Sequence, residues 1–547
     1  METLKMKTEA ASPRTLVLGG SRKQPDLVVL AIMALMAVAY VVVRCLLTSI
    51  VGDEAMTYEL HVTARIPDII LLRHTWLPAN NHLLFTLLAK FSVALFGNTE
   101  WALRLPSIFA LVLYCLMAGL ILWRHLQGAF LFLFFAVAVY NPALLEMMSV
   151  GRGYGLGIAL SVAGTYCLLR GAEPNQDQRS MWWTMATGCM AAATLANLTQ
   201  VLFFAIAIAV IGAVEARAFV QRGHGALAAC LKLVGPILIC ALVAPILGHQ
   251  IDVLAHAHEF AREGKISFHE NTVIETLRYS LGALAVPAWM LALLSLSAYI
   301  VPVIGIMTVL FRDLKRNAPV ATASTQADLP ILLMLLVGAS LLSVIQHHLL
   351  GISYLSGRRA VSFLPFFAMI CGCLAGFHGY QTNLTGRILR PALAILAVVL
   401  VACFARAANL DRTMTWSYDN DTREMMSDLS SLLADRRDGS PARLGITWFL
   451  EPSINYYRVR DKVVNLAPVD RSGPIGRYDL YFLQAYPIHT PCTCSSIDGA
   501  IDPEFANAGS FTELQSSTEP LRILKRYPRT GAVLAVPGNS SLELPLP

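Results

Sequence analysis

The stretch SIVGDEAMTY, residues 49–58, organises the rest of this sequence. It begins where a long apolar run from Leu27 ends, and a helical pattern follows it until Pro67. Two adjacent carboxylates, Asp53 and Glu54, are costly to hold at the rim of a bilayer, so their presence favours a functional site. The alternative is an ordinary helix start, because Asp is a favoured N-cap residue. The remainder of the chain decides between these two interpretations.

The composition is that of a membrane protein. Of the 547 residues, 56% are hydrophobic and 14% are charged, and the mean hydropathy is +0.57. A soluble domain carries about 25% charged residues, so the chain does not fit that class. The net charge of +6 is small for this length, and there is no basic tract with interleaved aromatic residues. Nucleic acid is therefore not an expected partner.

Apolar runs of membrane length predict a polytopic α-helical membrane protein with about eleven transmembrane helices. The predicted spans lie near residues 27–50, 104–123, 128–149, 154–170, 182–198, 200–217, 226–248, 281–311, 329–350, 360–378 and 391–408. The run from His82 to Phe96 is also apolar, but it is short for a crossing. We expect a re-entrant or interfacial segment there.

The distribution of Lys and Arg predicts the orientation. Residues 1–26 are basic, and the apolar run after them is too long for a signal peptide, so we expect a cytoplasmic tail and an uncleaved first helix. The loops that then become cytoplasmic are all basic, as the positive-inside rule requires. They lie at 124–125, 170–179, 217–232, 312–316 and 387–390. This pattern indicates a multi-pass protein with an extracytoplasmic C-terminus, and we expect it in a bacterial inner (plasma) membrane.

The orientation divides the chain into three parts. The first is the cytoplasmic tail 1–26, and the second is the transmembrane domain 27–408 with a first outer loop at 51–103. From residue 409 the composition turns polar, and the pattern over 409–547 predicts an extracytoplasmic α/β domain. Its predicted helices lie at 419–437 and from 452, and its predicted strands lie at 443–448, 478–483, 521–527 and 531–536.

Two outer segments carry polar residues that suit a binding site. His82 follows a polar patch and either anchors an interfacial helix or faces the same pocket as Asp53. Arg152 lies between two glycines, which let a ligand approach the backbone closely, and its guanidinium suits forked phosphate binding. The alternative for Arg152 is a snorkelling interfacial residue. Glu146, one turn earlier, is a candidate partner that holds Arg152 in place.

Arg358 and Arg359 are adjacent cations on the predicted outer side, against the charge rule. Such a pair suits an anionic headgroup or a lipid phosphate. Arg104, which begins a predicted span, is interpreted as structural.

Metal and thiol signals are weak. The outer loop 249–276 holds His256, His258 and His269 together with Asp252, Glu259 and Glu263, but no His-Glu-x-x-His pattern is present and the loop is typical of a solvated helix. A divalent metal is possible there without a specific motif, and no cofactor is expected. Nine of the eleven cysteines lie in apolar spans. Cys492 and Cys494 lie in a polar region, where a disulfide or two free thiols is favoured over a metal site.

Four stretches in this order resemble the membrane-embedded glycosyltransferases of the type C (GT-C) fold, a group that includes protein O-mannosyltransferases and the aminoarabinose transferases of lipid A. The resemblance covers roughly residues 27–405. The stretches are GDEAMTY at 52–58, NHLLF at 81–85 continuing through LFG at 95–97 and ALRLPS at 102–107, GRGYGL at 151–156, and GRR at 357–359 continuing to FLP at 363–365. Many relatives have two prolines where this chain has His82 and Leu83.

The resemblance implies a donor in which a sugar is carried on a polyprenyl phosphate. Asp53 would be the general base of a single inverting displacement. Arg152 with Arg358 or Arg359 would stabilise the departing phosphate. Glu54 and His82 would orient the acceptor or Asp53. Tyr154, from the third stretch, is grouped with these substrate-binding residues, and the acceptor is left open among lipid, glycan and protein.

Two other classes remain as alternatives. A transporter or flippase of a lipid-linked or anionic substrate is the main one, but transporters often show inverted repeats and midplane sites. Here the charged residues cluster at one face and no repeat is visible. A non-catalytic assembly subunit is the other, and the presence of both Asp53 and Arg152 argues against it.

Overall fold

The structure of the protein is a computed structural model. It describes residues 24–542, except 74, 76, 77, 175, 223–225, 261–266, 283, 285, 315–326, 377–383, 435–439, 472–477 and 485–520. For residues 221, 222, 226–229, 312–314 and 384–386 only the backbone is described. Cys492, Cys494 and nearly all of the predicted tail 1–26 lie outside the described residues.

Sixteen helices form the described part of the transmembrane domain. They are α1 (Gln24–Leu47), α2 (Gly52–Thr57), α3 (Ile66–Ile70), α4 (Leu83–Phe96), α5 (Glu100–Trp123), α6 (Gly128–Val139), α7 (Pro142–Ser149), α8 (Gly153–Gly171), α9 (Arg179–Ala196), α10 (Val201–Arg222), α11 (Ala226–His256), α12 (Glu275–Ser280), α13 (Ala288–Leu314), α14 (Asp328–Leu350), α15 (Phe363–Gly376) and α16 (Leu384–Ala407). One π-helical turn, Tyr58–Val62, extends α2.

Each of the eleven predicted spans coincides with a helix or with one bent pair. Within the described residues, seven helices are long and apolar enough to cross a membrane, and the pair α6 and α7, bent by 56°, makes an eighth. The other three, α8, α9 and α15, are less apolar or shorter. In α8 nearly every residue is buried inside the bundle, so its glycines and hydroxyl groups do not face lipid. The polytopic membrane architecture is therefore confirmed.

Two predicted segments differ in how well they agree with the structure. The run 82–96 forms the short apolar helix α4, which agrees with the prediction that it is too short for an ordinary crossing. Helix α11 continues to His256, eight residues beyond the predicted end of that span, so His256 lies on a helix and not in a loop.

The two ends of the bundle differ in character. At one end, Arg124 donates to Asp328 at 2.7 Å and pairs with Glu173 at 2.7 Å, which ties the start of α14 to the loop after α5. The other end of α14 lines a large cavity together with the segments predicted to share the outer side. Burial of these charges in pairs is the arrangement that a membrane protein requires.

The C-terminal domain is a small α/β unit, as predicted. Its elements are α17 (Thr422–Leu433), β1 (Leu444–Ile446), α18 (Glu451–Arg460), β2 (Leu480–Leu483), β3 (Leu521–Arg526) and β4 (Val533–Pro537). The four strands form one sheet in the order β1-β2-β4-β3. Strands β1 and β2 are parallel, while β4 runs antiparallel to both of its neighbours. All six elements were predicted from the sequence, and their bounds differ from the predicted ones by a few residues.

Candidate active site

A cavity of about 1580 Å³ opens where the C-terminal domain meets the bundle. Its walls combine two kinds of surface. The charged wall includes Asp53, Arg152, Arg358, Arg359, Arg406 and Arg412. The apolar wall is built by leucine, isoleucine and valine side chains of α9, α10, α11 and α14, among them Leu202, Leu254, Leu342, Ile345 and Leu349. The cavity therefore suits a ligand with one charged and one hydrocarbon end.

Asp53 lies at the charged wall, in the first turn of α2, and its residue is 7% exposed. Its Oδ2 atom lies 3.0 Å from Nη1 of Arg358 and 3.6 Å from Nη2 of Arg152. The side chain of Trp416 also favours the ionised form of this carboxylate. Val51, not Asp53, is the N-cap residue of α2, so the alternative interpretation of Asp53 as a helix cap does not hold.

Two opposing effects set the pKa of Asp53. Burial raises it, because a carboxylate is less stable when removed from water. The guanidinium groups of Arg358 and Arg152 lower it, and the hydrogen bonds from Trp416 and Arg358 lower it further. The balance holds the pKa of Asp53 below its ordinary value. Asp53 is consequently a firmly ionised anion between two cations.

Arg152 is the N-cap residue of α8 and is buried. Its Nη1 atom donates to Oγ1 of Thr57 at 2.9 Å and to the backbone oxygen of Asp53 at 3.2 Å. Its Nε atom has no hydrogen-bond partner among the described residues. Arg152 therefore contacts the turn that carries Asp53, and its Nε–H group can still donate a hydrogen bond to a ligand.

Glu146 does not hold Arg152, contrary to the sequence-based interpretation. Its carboxylate accepts the backbone N–H groups of Met414 and Thr415 at 2.8 and 3.0 Å, and lies 3.9 Å from Nη2 of Arg44. The helix α7 that carries Glu146 ends at Ser149 and the chain then turns, which directs Glu146 toward the C-terminal domain.

The glycines beside Arg152 are required by helix packing, and not by the approach of a ligand as the sequence suggested. A Cβ atom on Gly153 would overlap the backbone oxygen of Ala196 and lie 2.6 Å from Cβ of His82. A Cβ atom on Gly151 would lie 3.0 Å from Oε1 of Glu54. The turn before α8 is therefore packed against three other segments.

Glu54 lies behind the cavity wall and is fully buried. Arg104 donates two hydrogen bonds to its carboxylate, from Nε to Oε1 at 2.8 Å and from Nη2 to Oε2 at 2.6 Å. The backbone N–H groups of Gly151 and Val51 donate to the same carboxylate. Glu54 was predicted to orient the acceptor or Asp53, but both of its oxygens accept hydrogen bonds from the surrounding chain and Glu54 does not line the cavity. Its position fits support of the loop, and the structural interpretation of Arg104 agrees with these contacts.

His82 and Tyr154 lie together on the cavity wall, with ring centroids 5.2 Å apart. Burial lowers the pKa of His82 well below its ordinary value, and the charges of Arg152 and Arg358 lower it further. The imidazole is therefore neutral. Its Nε2 atom is buried without a hydrogen-bond partner among the described residues.

Arg358 and Arg359 lie on a short 3₁₀ turn, Gly357–Ala360, and both line the cavity. The guanidinium carbon of Arg358 lies 4.8 Å from the centroid of Trp416. Nη2 of Arg359 donates to Oγ of Ser356 at 3.2 Å. The structure therefore brings Asp53, Arg152 and both arginines of this turn to one wall, as the sequence predicted.

Sequence reasoning missed four residues at this site. Asn80, Asn197 and Gln250 line the cavity, and each keeps a buried side-chain nitrogen that has no partner among the described residues. The side chain of Trp416, in the C-terminal domain, interacts with the carboxylate of Asp53 and lowers its pKa. Asn80 lies in the polar patch that precedes His82, which was a usable signal. The others are single polar or aromatic residues without a motif.

The histidines of the predicted outer loop are spread apart. Nδ1 of His256 lies 3.4 Å from Oδ1 of Asp252, and His269 contacts Tyr299 instead. Among the described residues, no group of three or more His, Cys, Asp or Glu side chains has a metal-binding arrangement.

Comparison with known proteins identifies the fold. No protein-family model matches the chain, and no curated protein matches it significantly. Two solved structures share its polytopic helical fold, in agreement with the fold that the resemblance in its sequence implied. The crystal structure of ArnT from Cupriavidus metallidurans in the apo state is similar, with 12% identity, a TM-score of 0.51, and coverage of 95% of this chain and 99% of that chain.

A second similar structure is ArnT from Cupriavidus metallidurans bound to undecaprenyl phosphate. It has 14% identity and a TM-score of 0.50 over the same shares of the two chains. At identities this low, the structural similarity establishes a common fold and nothing more. What this chain binds has to be argued from its own residues.

Proposed function

We propose that this protein is a membrane glycosyltransferase that moves a sugar from a polyprenyl-phosphate donor to an acceptor on the extracytoplasmic side. The observation that carries the proposal is the position of Asp53 between Arg152 and Arg358 in the wall of a cavity that many apolar side chains also line. The likeness in fold to ArnT bound to undecaprenyl phosphate supports a donor of this type.

The shape of the cavity supports a lipid donor. Small-molecule pockets usually measure about 300–1000 Å³, so a volume of about 1580 Å³ leaves room for a sugar, a phosphate and the first isoprene units. The apolar side chains of α11 and α14 would take the hydrocarbon chain. The arginines would take the phosphate, because a guanidinium binds phosphate oxygens in a forked geometry.

Binding of the donor would change the partners of the two arginines. In the structure Arg358 and Arg152 pair with Asp53 and keep its pKa low, which makes it a weak base. A donor phosphate competes for the same guanidinium groups. As they turn to the phosphate, Asp53 loses its cations, gains a neighbouring anion, and its pKa rises. Binding of the donor would thereby make Asp53 a stronger base for the reaction in which the donor is cleaved.

The reaction is then a single displacement. Asp53 removes the proton of an acceptor hydroxyl while the acceptor oxygen attacks the anomeric carbon. The bond from that carbon to the phosphate oxygen breaks, and polyprenyl phosphate leaves with the electron pair. Arg152 and Arg358 stabilise the charge that develops on the leaving phosphate. The configuration at the anomeric carbon inverts, and no covalent enzyme intermediate forms.

Neutral polar groups border the place where a sugar would lie. His82 is uncharged, and Asn80, Asn197 and Gln250 carry amides whose nitrogens have no hydrogen-bond partner in the part of the chain that the structure describes. Amides and a neutral imidazole both donate to and accept from hydroxyl groups. We assign these four residues, with the ring of Tyr154, to binding of sugar or acceptor hydroxyls, and Arg359 to the rim of the phosphate site.

The proposal also fixes the side of the membrane. The charged wall and the C-terminal domain share one end of the bundle, and the positions of the basic loops support an extracytoplasmic location for that end under the positive-inside rule. We assign the protein to a bacterial inner membrane in this orientation.

The test is a donor-cleavage assay. The full chain in lipid nanodiscs is incubated with a panel of undecaprenyl-phosphate-linked sugars and an extract of envelope lipids and glycans, and released undecaprenyl phosphate is quantified by mass spectrometry. We expect release with one donor and a glycosylated product of inverted configuration. Movement of an intact donor across proteoliposomes without cleavage would contradict the proposal and favour a flippase.

A further inference from the structure

The C-terminal domain bonds directly to the turn that carries Asp53. The N–H of Gly52, the residue before Asp53, donates to Oδ2 of Asp419 at 2.7 Å. The N–H of Ile50 donates to Oη of Tyr457 at 2.8 Å. Both acceptor residues are fully buried. The backbone that enters α2 is therefore held by a domain 367 positions further along the chain.

Asp419 is itself fixed in place. Oγ of Ser453 donates to its carboxylate at 2.6 Å, and Oγ1 of Thr422 donates at 3.3 Å. Burial is the main cause that raises the pKa of Asp419 to about 7. Its hydrogen bonds oppose this rise, and the charge of Asp53 makes a smaller contribution that raises the pKa. The two carboxylates are thus close enough to influence each other, and only one of them lines the cavity.

Trp416 connects the same segment to the ion pair. Its ring lies 4.8 Å from the guanidinium carbon of Arg358, whose Nη1 atom lies 3.0 Å from Oδ2 of Asp53, and the Trp416 side chain also lowers the pKa of Asp53. Two residues of one short segment, Trp416 and Asp419, therefore contact the cation that pairs with Asp53 and the backbone immediately before Asp53.

We propose that Trp416 and Asp419 are positioning residues for the proposed reaction: together they fix where the carboxylate of Asp53 points, so that the C-terminal domain is part of the catalytic apparatus. The proposal rests on the role of Asp53 as general base. A displacement of about 1 Å at a reacting group lowers turnover about 100-fold, which is why such support matters.

Docking of the domain is secured by other contacts. Arg423 donates to Oε1 of Glu100 at 2.9 Å and to the backbone oxygen of Thr48 at 2.7 Å. Nη1 of Arg460 lies 2.6 Å from Oε2 of the same Glu100. This cluster lies at the start of α5 and does not involve Asp419. Loss of the Asp419 carboxylate is therefore expected to loosen the turn without releasing the domain.

The first test measures hydrogen exchange in the full chain in nanodiscs. Asp419→Ala removes the acceptor for the Gly52 N–H, and we expect the peptide spanning residues 49–58 to exchange about tenfold faster. Asp419→Asn retains a carbonyl oxygen and should lie between Asp419→Ala and the unaltered protein. The control is Asp428→Ala, because Asp428 bonds Lys525 and Tyr527 within the domain. Unchanged exchange in Asp419→Ala, or an equal increase in Asp428→Ala, would overturn the proposal.

The second test measures turnover with the donor that the cleavage assay identifies. In Asp419→Ala, and in Trp416→Phe, which keeps the ring but loses the indole N–H, we expect kcat to fall about 10- to 100-fold while KM for the donor stays within about twofold. A normal kcat, or a loss expressed in KM alone, would overturn the positioning role. If the unaltered protein cleaves no donor, the proposed function fails, and the exchange experiment still decides whether the turn is held.

Discussion

Nη1 of Arg358 lies 3.0 Å from Oδ2 of Asp53, although 305 positions separate the two residues in the chain. The contact joins the loop after the first helix to the turn before α15. It places an anion and a cation at the wall of a cavity large enough for a lipid-linked sugar. The account of function depends on this pair changing partners when a phosphate enters.

Replacement of Arg358 tests the phosphate site. A hydrogen bond to a charged group contributes about 1.5–3 kcal/mol, so Arg358→Ala should weaken binding of undecaprenyl phosphate about 10- to 100-fold. Arg358→Lys should recover only part, because an ammonium lacks the forked geometry. Binding is measured by native mass spectrometry in nanodiscs. Arg443→Ala, an exposed arginine of the C-terminal domain, is the control, and equal losses in both variants would contradict the assignment.

The pH dependence of kcat/KM tests the state of Asp53 in the free protein. Its pKa lies below the ordinary value because Arg358 and Arg152 outweigh the effect of burial. The acid limb of kcat/KM should therefore lie below about pH 4. In Arg358→Ala that limb should move to higher pH, since the largest lowering influence is gone. A limb that stays in place, or moves to lower pH, would show that Arg358 does not control this carboxylate.

The same pair has a consequence for stability. A carboxyl group with a lowered pKa contributes stability above its unfolded value of about 4, and loses it as the pH falls through the folded value. Thermal unfolding of the unaltered protein should therefore show a greater loss below pH 4 than thermal unfolding of Arg358→Ala. Parallel curves for the two proteins would contradict this.

The buried pair of Arg104 and Glu54 should matter for stability more than for binding. Removing one member leaves the other charge buried without its partner, which lowers the free energy of unfolding by about 3–5 kcal/mol. Arg104→Ala should therefore lower the melting temperature sharply in detergent. Asp461→Asn removes part of the half-exposed pair with Arg460 and should change it little. A melting temperature equal to that of the unaltered protein in Arg104→Ala would refute the supporting role.

Two glycines give a matched comparison of packing. Gly153→Ala places a methyl group on the backbone oxygen of Ala196 and on His82, so we expect a loss of thermal stability and of donor binding. Gly212→Ala on α10 meets nothing within 4 Å and should be tolerated. Both are measured by thermal unfolding. Tolerance of Gly153→Ala would mean that the turn before α8 is less tightly packed than described.

Much of the fold follows from local properties of the sequence. Every predicted span coincides with a helix because membrane length and apolarity are visible in a single run of residues. Apolarity alone describes two helices less well. Helix α8 is less apolar because neighbouring helices cover it, and the last turns of α11 continue beyond the apolar run. Both depend on packing, which composition does not report.

The site was predicted in part. Asp53, Arg152 and Arg358 were identifiable because charged residues at a bilayer rim need a reason to be there. The direction in which a side chain points was not accessible, so Glu54 was placed in the pocket when Arg104 holds it behind the wall. Trp416 is a lone aromatic residue, and its contact with Asp53 arises only when two distant parts of the chain meet.

The central claim is that Asp53 is the base that activates the acceptor. The most direct measurement is turnover of Asp53→Asn with the undecaprenyl-phosphate-linked sugar that the unaltered protein cleaves, alongside its affinity for undecaprenyl phosphate. The account predicts a kcat lower by about 100- to 10,000-fold with binding retained or tightened, since the arginines are freed for the phosphate. Normal turnover by Asp53→Asn would contradict it.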